Sequence, residues 1–316
     1  MHDDPRAVAP LERLLHLKRL PALANLPSAE LTAIAEYATE RFFPKGSPVY
    51  REGEPIGAVY FVVEGEIAVR RRGKELDHLG PGSVLGGLGL FARDTEGVEA
   101  TAVADTFTLE LDADAIIEIL EDHFLVLLNV VQGSSRRLID LVVSLGLDPG
   151  VGAPTLEPLP ESRPDLDLVE RIFHLRRIPL FQKGNINALA ELSRGLAQVR
   201  FEPRTPLWRA GEPSQSIFLI LSGTVGVRVA SAGPGFRVGP GFPLGALEAV
   251  AEAPRWYDAA TETAVVALQG SEEGLLDLFE DNFEIAMDYL AIIAQTMLRI
   301  LEARGGHAAQ LLSRQL

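Results

Sequence analysis

The sequence has no cysteine. That excludes disulfides, thiolate metal sites and cysteine nucleophiles together, and it suits a reducing compartment. Histidine is scarce: the six lie at 2, 16, 78, 123, 174 and 307, without an H-x-H or H-x-x-x-H pair. No metal-ligand spacing is therefore present. Long apolar runs are missing as well. The best candidate, Phe124 to Val131, is interrupted by Asn129 and falls short of the roughly 18 residues needed to span a bilayer. The opening MHDDPRAVAP holds no signal-like apolar segment, so a cytoplasmic chain without a membrane partner is expected. Positive charge is in deficit: 29 Lys and Arg against 44 Asp and Glu give a formal net charge of −15. A field of that sign opposes phosphate-rich ligands, and no nucleic-acid partner is expected. The one basic run, Arg70-Arg71-Arg72-Gly73-Lys74, lies between two strand patterns and reads as a solvated hairpin tip. Nucleophile-elbow and phosphate-loop motifs are absent. The carboxylate pairs Glu121-Asp122 and Glu280-Asp281 sit at helix junctions, where helix electrostatics account for them. The expectation is a protein that is not an enzyme and binds no metal.

What the chain does have is repetition. Its 316 residues, 47% hydrophobic and 23% charged, suffice for two ordinary domains. The organising stretch is RFFPKGSPVYREGEPIGAVYFVVEGEIAV, from Arg41 to Val69. It reads as three short strands. Pro44, Gly46 and Pro48 precede the first, Gly53-Glu54-Pro55 separates the first two, and Gly65 separates the last two. Alternation of Val59, Phe61 and Val63 with Tyr60 and Val62, bounded by Gly and Pro, is the antiparallel-strand pattern. The stretch recurs from Arg200 to Val227, with Gly53, Pro55 and Gly65 matching Gly211, Pro213 and Gly223, each 158 residues on. The chain is an internal duplication.

The flanks repeat too. Leu11 to Leu20 is a short amphipathic helix ended by Pro21, and a second helix follows to about Ala38, with Ser28 or Asn25 as its cap. Copy two repeats this in IFHLRRIPLF from Ile172 and a helix over Ile186 to Leu196. After the strands, each copy closes in helix: Asp112 to about Leu120 and Phe124 to Leu145 in copy one, Glu272 to Glu280 and Phe283 to Arg304 in copy two. The last helix carries two apolar stripes, one through Phe283, Met287, Leu290, Ala294, Met297 and Leu301, the other through Ile285, Tyr289, Ile292 and Ile300. One packed face needs one stripe. The second implies a partner helix, which makes a homodimer through Phe283–Leu301 the expectation; a helix covered within its own chain is the alternative. Between the copies, GLDPGVGAPTLEPLPESRP is a Pro- and Gly-rich linker. The boundaries expected are 1–145, linker 146–166, and 167–316.

Helices, an antiparallel strand set with a small helix within it, then two closing helices: this order resembles the cyclic nucleotide-binding domain, the sensor of catabolite activator protein, the protein kinase A regulatory subunit and cyclic nucleotide-gated channels. VYFVVEGEIAV and HLGPGSVLGGLGLF carry the likeness, with the glycine framework Gly53, Gly65, Gly80, Gly82, Gly86 and its counterpart Gly211, Gly223, Gly239, Gly241, Gly245. The resemblance implies a mainly β fold with flanking helices (α+β): two tandem double-stranded β-helix, or jelly-roll, domains. It also implies a phosphate cassette, Phe-Gly-Glu-Leu-Ala then Pro-Arg-Ala-Ala-Thr. There a short helix aims N–H groups at the phosphate, the Arg neutralises it, and the Glu accepts from the ribose.

Here the cassette departs from that pattern. Copy one reads Leu85-Gly86-Gly87 and Val98-Glu99-Ala100-Thr101, so Glu has become Gly87 and Arg has become Val98; Arg93 in the intervening loop is read as exposed. Copy two reads Leu244-Gly245-Ala246-Leu247, again without the Glu. It keeps Pro254-Arg255 but follows with the bulky Trp256 and Tyr257 and with Asp258, the expected ion-pair partner of Arg255. Losing both charged contacts costs about 3–6 kcal/mol, which moves a micromolar site to millimolar or worse. The functional expectation is a regulatory or scaffolding protein acting through protein partners and without a cofactor. The alternative is a sensor that holds a cyclic nucleotide or other anion weakly in copy two through Arg255, Gly245, Ala246 and Leu247. The GGHAAQLLSRQL that follows the last helix is too short for a helix-turn-helix, so no DNA-binding effector is expected.

Overall fold

A computed structural model describes residues 10–20, 23–94, 97–147, 157–158, 165–229 and 235–304. Pro21, most of the linker and the tail from Gly305 lie outside the described residues.

Copy one opens with helices α1 (Pro10–Lys18) and α2 (Ser28–Tyr37). Strands β1 (Thr39–Phe43), β2 (Pro48–Tyr50), β3 (Ala58–Glu64), β4 (Ile67–Arg71), β5 (Lys74–Leu79) and β6 (Val84–Leu85) follow. The short helix α3 (Gly87–Phe91) precedes β7 (Glu99–Ala102) and β8 (Thr106–Asp112), and α4 (Ala113–Asp122) and α5 (Phe124–Leu145) close the copy. Copy two repeats the order as α6 (Leu168–Arg176), a 3-10 turn (Pro179–Phe181), α7 (Ile186–Gly195), β9 (Ala197–Phe201), β10 (Pro206–Trp208), β11 (Ser216–Ser222), β12 (Val225–Arg228), β13 (Phe236–Val238), β14 (Pro243–Leu244), α8 (Ala246–Val250), β15 (Asp258–Thr261), β16 (Val265–Ser271), α9 (Glu272–Asp281) and α10 (Phe283–Arg304).

Each copy folds into two antiparallel four-stranded sheets, in the orders β1-β8-β3-β6 and β2-β7-β4-β5, then β9-β16-β11-β14 and β10-β15-β12-β13. The shared strand order is the jelly-roll that the duplication implies. The organising stretch holds one more strand than its turns announce. Thr39–Phe43 pairs with β8 although its residues, Glu40 and Arg41 among them, show no alternation. Cross-strand pairing, not local pattern, makes it a strand.

Turn chemistry follows the sequence closely. Arg72 and Gly73 take φ of 50° and 72° between paired Arg71 and Lys74, the two-residue hairpin loop whose twist suits adjacent strands. Gly65 and Gly223 sit at φ of 91° and 85°, and a Cβ there would fall 2.5 Å from the Asp105 carbonyl oxygen and 2.1 Å from that of Ala264. Nothing larger fits either corner. Caps are mostly as the composition suggests: Asp112, Asn185 and Ser271 accept backbone N–H groups at the starts of α4, α7 and α9. Asp167 and Glu170 form a reciprocal capping box on α6. Helix α2 is different. Pro27 occupies its cap without a side-chain hydrogen bond, and Ser28 is already its first helical residue, so neither Ser28 nor Asn25 caps it.

The chain forms two compact units. The first contains residues 1–133 with 293–316, and the second contains 134–292. Within the first, the end of α10 lies on the segment that follows α3: Gln295 Nε2 donates to the Ala92 carbonyl at 3.1 Å. Within the second, the end of α5 lies on the segment that follows α8: Arg136 Nε donates to the Ala251 carbonyl at 2.7 Å. Gln295 and Arg136 are equivalent positions, as are Ala251 and Ala92, each 159 residues apart. Each short helix is thus finished by a residue from the long helix of the other copy. Both apolar stripes of α10 are consequently buried within the chain, Leu290, Ala294 and Met297 on one and Ile285, Tyr289 and Ile300 on the other. The second stripe needs no second molecule, and the sequence's case for a homodimer through Phe283–Leu301 loses its premise.

Candidate functional site

The cassette positions are where the order of elements puts them. Gly86 and Gly245 are the N-caps of α3 and α8, at φ of 100° and 89°. Gly87 begins α3, and Ala246 and Leu247 begin α8. Thr101 is half-buried on β7, where it pairs with Pro48 of β2 and Ala68 of β4. Val98 packs on the core cluster of Val62, Ile67, Val69, Leu79, Leu85 and Ala100. An apolar side chain thus stands where the resemblance asks for the phosphate-binding Arg.

Copy two keeps that Arg and consumes it. Arg255 is 2% exposed. Its Nη1 lies 3.0 Å from Glu248 Oε1, with both side chains 1% exposed. It also donates from Nη1 to the Gly245 carbonyl at 3.3 Å and from Nη2 to the Ser216 carbonyl at 2.5 Å. The guanidinium stacks on Trp208, 3.9 Å from the ring centroid. Burial foremost, with the nearby Glu248 carboxylate on α8 next, pushes the Tyr257 phenol well above its ordinary pKa. Asp258 is not the partner that the sequence suggested. It is exposed and accepts from the Ala210 backbone N–H at 2.9 Å, because it begins β15 on the far side of Tyr257 from the buried Arg.

The bulky residues after Arg255 turn inward as their size suggests. Tyr257 joins the buried cluster of Trp208, Phe218, Val225, Val227 and Leu244, and Trp256 packs against it. Trp208 stacks on Phe218 with centroids 5.9 Å apart, and Trp256 meets Tyr257 edge-on at 4.9 Å. Three buried donors in this group, Arg255 Nε, Trp208 Nε1 and Trp256 Nε1, have no acceptor among the described residues.

Copy one fills the same spot with a residue that the motif comparison passes over. Tyr50, the counterpart of Trp208, donates its hydroxyl to the Ala58 carbonyl at 2.5 Å and lies 3.4 Å from that of Leu85. Ala58 is the counterpart of Ser216, 158 residues earlier. A Cβ on Gly86 would fall 2.1 Å from the Tyr50 hydroxyl, as one on Gly245 would fall 2.5 Å from Arg255 Nη1. A polar donor therefore seals each cap glycine to the facing strand. Burial raises the Tyr50 phenol far above its usual pKa, so it is a neutral donor at all physiological pH. The alignment signal for Tyr50 was its match to Trp208 across the repeat; its role was invisible because the family motif names no residue there.

A second charged centre was misread. Arg71 is not a solvated tip residue but 6% exposed. It binds Asp94 with both terminal nitrogens, at 2.5 and 3.1 Å, and donates to the Gly97 carbonyl at 3.0 Å. Its Nε lies 2.8 Å from Glu302 of α10. The guanidinium ties the loop after α3 to the last helix. Arg93, in the same loop, is exposed as expected.

A model of the family described as "Cyclic nucleotide-binding domain" matches residues 40–123 and 198–282, more than half of the 316. Among curated proteins, the cyclic AMP receptor protein of Thermus thermophilus is 29% identical over 136 residues, 42% of this chain and 63% of that protein. The CRP-like cAMP-activated global transcriptional regulator of Mycobacterium tuberculosis is 29% identical over 128 residues, 37% and 57% respectively. Glutaminase 2 of Bradyrhizobium diazoefficiens is 28% identical over 130 residues, 40% of this chain and 21% of that one. The chain spans less than two thirds of the length of each of these relatives. Among solved structures, a cAMP-bound mutant regulatory subunit of a cAMP-independent protein kinase A from Trypanosoma brucei is 17% identical, covers 95% of this chain and 94% of its own, and superposes with a TM-score of 0.34. The regulatory domain of Toxoplasma gondii protein kinase A with cAMP is 16% identical, covers 91% and 97%, and gives 0.34.

Proposed function

Because the chain belongs to the cyclic nucleotide-binding domain family, in two tandem copies, we propose that it is a regulatory or scaffolding module that has kept the family's architecture and gives its output through protein partners, without a nucleotide and without catalysis of its own. The observation that carries this reading is the internal use of the cassette donors. Arg255 is committed to Glu248, Gly245 and Ser216, and Tyr50 makes the corresponding bond in copy one. A phosphate entering copy two would have to displace a carboxylate that is buried with its cation. Parting such a pair costs about 3–5 kcal/mol, more than the roughly 1.5–3 kcal/mol that one charge-assisted contact returns. In copy one no cation stands at Val98.

The test is a thermal-shift and calorimetric titration with cyclic AMP, cyclic GMP and cyclic dinucleotides. The melting temperature should stay unchanged at millimolar ligand, whereas a ligand at a hundred times its Kd would stabilise by about 2.7 kcal/mol. A rise abolished by Arg255→Ala would overturn the reading.

A second reading, a sensor of a small anion in copy two, draws support from the three acceptor-free donors Arg255 Nε, Trp208 Nε1 and Trp256 Nε1. It requires Glu248 to release Arg255. Under this reading Glu248→Gln would confer or sharpen a melting shift with inorganic phosphate or a cyclic nucleotide; under the first it would not.

A further inference from the structure

The first helix of each copy exposes an apolar pair that nothing among the described residues covers. In α6, Val169 is 58% exposed and Phe173 66%. In α1, Leu11 is 66% exposed and Leu15 47%. The pairs are equivalent positions, 158 residues apart, each spaced i and i+4. The inner face of both helices is accounted for: Leu17 and Leu175 are buried, and Arg13 and Arg171 donate to the carbonyls that end the next helix, those of Ala38 and Leu196. The exposed pair is therefore the outer face of a fixed helix.

The same face continues into positive charge. Lys18 and Arg19 stand at i+7 and i+8 from Leu11, as Arg176 and Arg177 do from Val169, and all four are exposed. Residues i, i+4, i+7 and i+8 form one stripe about 100° wide. Cations at a helix C-terminus complement its dipole, but that accounts for neither the bare apolar pair beside them nor its recurrence. In a chain of net charge −15, both of these equivalent stripes run from apolar to basic. An anionic bilayer or a nucleic acid would meet the global repulsion; a short segment needs only the local field.

We propose that these stripes are docking sites for amphipathic helices of a partner protein whose apolar side is bordered by Asp and Glu. The apolar ridge would lie against Val169 and Phe173, or Leu11 and Leu15, with its carboxylates against the cation pair. One nine-residue helix offers far less than the roughly 800 Å² per side of a stable interface. Each site is then weak, and a partner with two such helices gains by occupying both. The proposal rests on the protein-interaction reading above and names the chemistry of the partner.

The test uses the full chain and two synthetic 16-residue amphipathic helices, one with leucine on one side and glutamate on the other, the second with lysine for glutamate. Binding is followed by anisotropy and located by backbone amide shifts. The glutamate peptide should bind, shift α6 and α1, and weaken with salt. V169E/F173E and R177E should each reduce binding at the α6 site at least tenfold, with melting temperatures unchanged because these three side chains are exposed; Arg176, which also donates to the Gly184 carbonyl at 3.4 Å, is left in place. The proposal is overturned if the glutamate peptide does not bind, if its shifts fall elsewhere, or if the lysine peptide binds as well. It is also overturned, in favour of a lipid surface, if phosphatidylserine vesicles bind the chain and F173E abolishes that. The nucleotide titration is independent: a nucleotide response would sink the wider reading, whereas peptide failure with a silent titration would sink only this surface.

Discussion

The Tyr50 hydroxyl and the Arg255 guanidinium make the same bond in the two copies. Each donates across the cassette to the carbonyl of an equivalent residue on the central strand, Ala58 or Ser216, at 2.5 Å. A neutral phenol in one copy and a paired cation in the other thus close the cap of the short helix. Tyr50→Phe should destabilise by about 0.5–1.5 kcal/mol, the net worth of a hydrogen bond, a small fall in urea midpoint without change in slope.

The Arg255–Glu248 pair makes a sharper prediction. Removing one partner strands the other in a site where both are 1% exposed, so Glu248→Ala should cost about 3–5 kcal/mol. Replacing both with apolar residues of similar volume, as in R255M/E248L, should recover most of that loss. Denaturant midpoints of Arg255→Met, Glu248→Leu and the double, read as a cycle, check it.

Arg71→Ala should loosen two places at once. The guanidinium holds Asp94 and Gly97 after α3 and Glu302 on α10. Hydrogen exchange should speed up both in that loop and over the end of α10, with a loss of roughly 3–5 kcal/mol. Arg71→Lys should not restore it, because an ammonium cannot span both Asp94 oxygens and still reach Glu302.

Gly223→Ala and Gly211→Ala should differ although both glycines have positive φ, 85° and 91°. Open space surrounds Gly211, whereas a Cβ on Gly223 would fall 2.1 Å from a backbone oxygen. The first should cost only the left-handed penalty of about 1–2 kcal/mol. The second should cost clearly more, and a thermal melt separates them.

His78 gives a pH prediction. Its Nδ1 lies 2.6 Å from Glu66 and its Nε2 3.2 Å from Glu75. The hydrogen bond to Glu66 is the chief reason that its pKa is raised. A raised folded-state value means that the stabilisation is complete below the ordinary histidine value near 6.5 and is lost as pH climbs through the higher folded one. The group is exposed, so the effect lies within about 1 kcal/mol. The His78 imidazole should titrate above free histidine by NMR, and Glu66→Gln should bring it down.

Local chemistry carried most of the fold. The Arg72-Gly73 turn, the start of α5 at Phe124 and the repeat of glycines 158 apart were legible because each depends on near neighbours in the chain. Strand β1 was not, since its pairing with β8 supplies what Glu40 and Arg41 lack. At the site, the missing cation at Val98 could be read directly. The pairing of Arg255 with Glu248 rather than Asp258 could not, because sequence distance favours Asp258, three residues away, over Glu248, seven away, and only the backbone path of α8 and β15 chooses the farther one. Arg71 was misread for the same kind of reason: a side chain in a basic run takes its environment from Asp94 and Glu302, which lie far along the chain.

Residues 293–304 complete the first unit, and residues 134–147 belong to the second. Severing the polypeptide between the repeats would therefore not liberate two self-sufficient modules. A fragment ending at Leu147 would lack Gln295 and Glu302, leaving the Ala92 carbonyl without its donor and Arg71 Nε without its carboxylate, while one starting at Asp165 would lack Arg136 and leave Ala251 unclasped. Mixed in equal amounts, the two fragments should restore each other's melting transition, and neither should reach it alone.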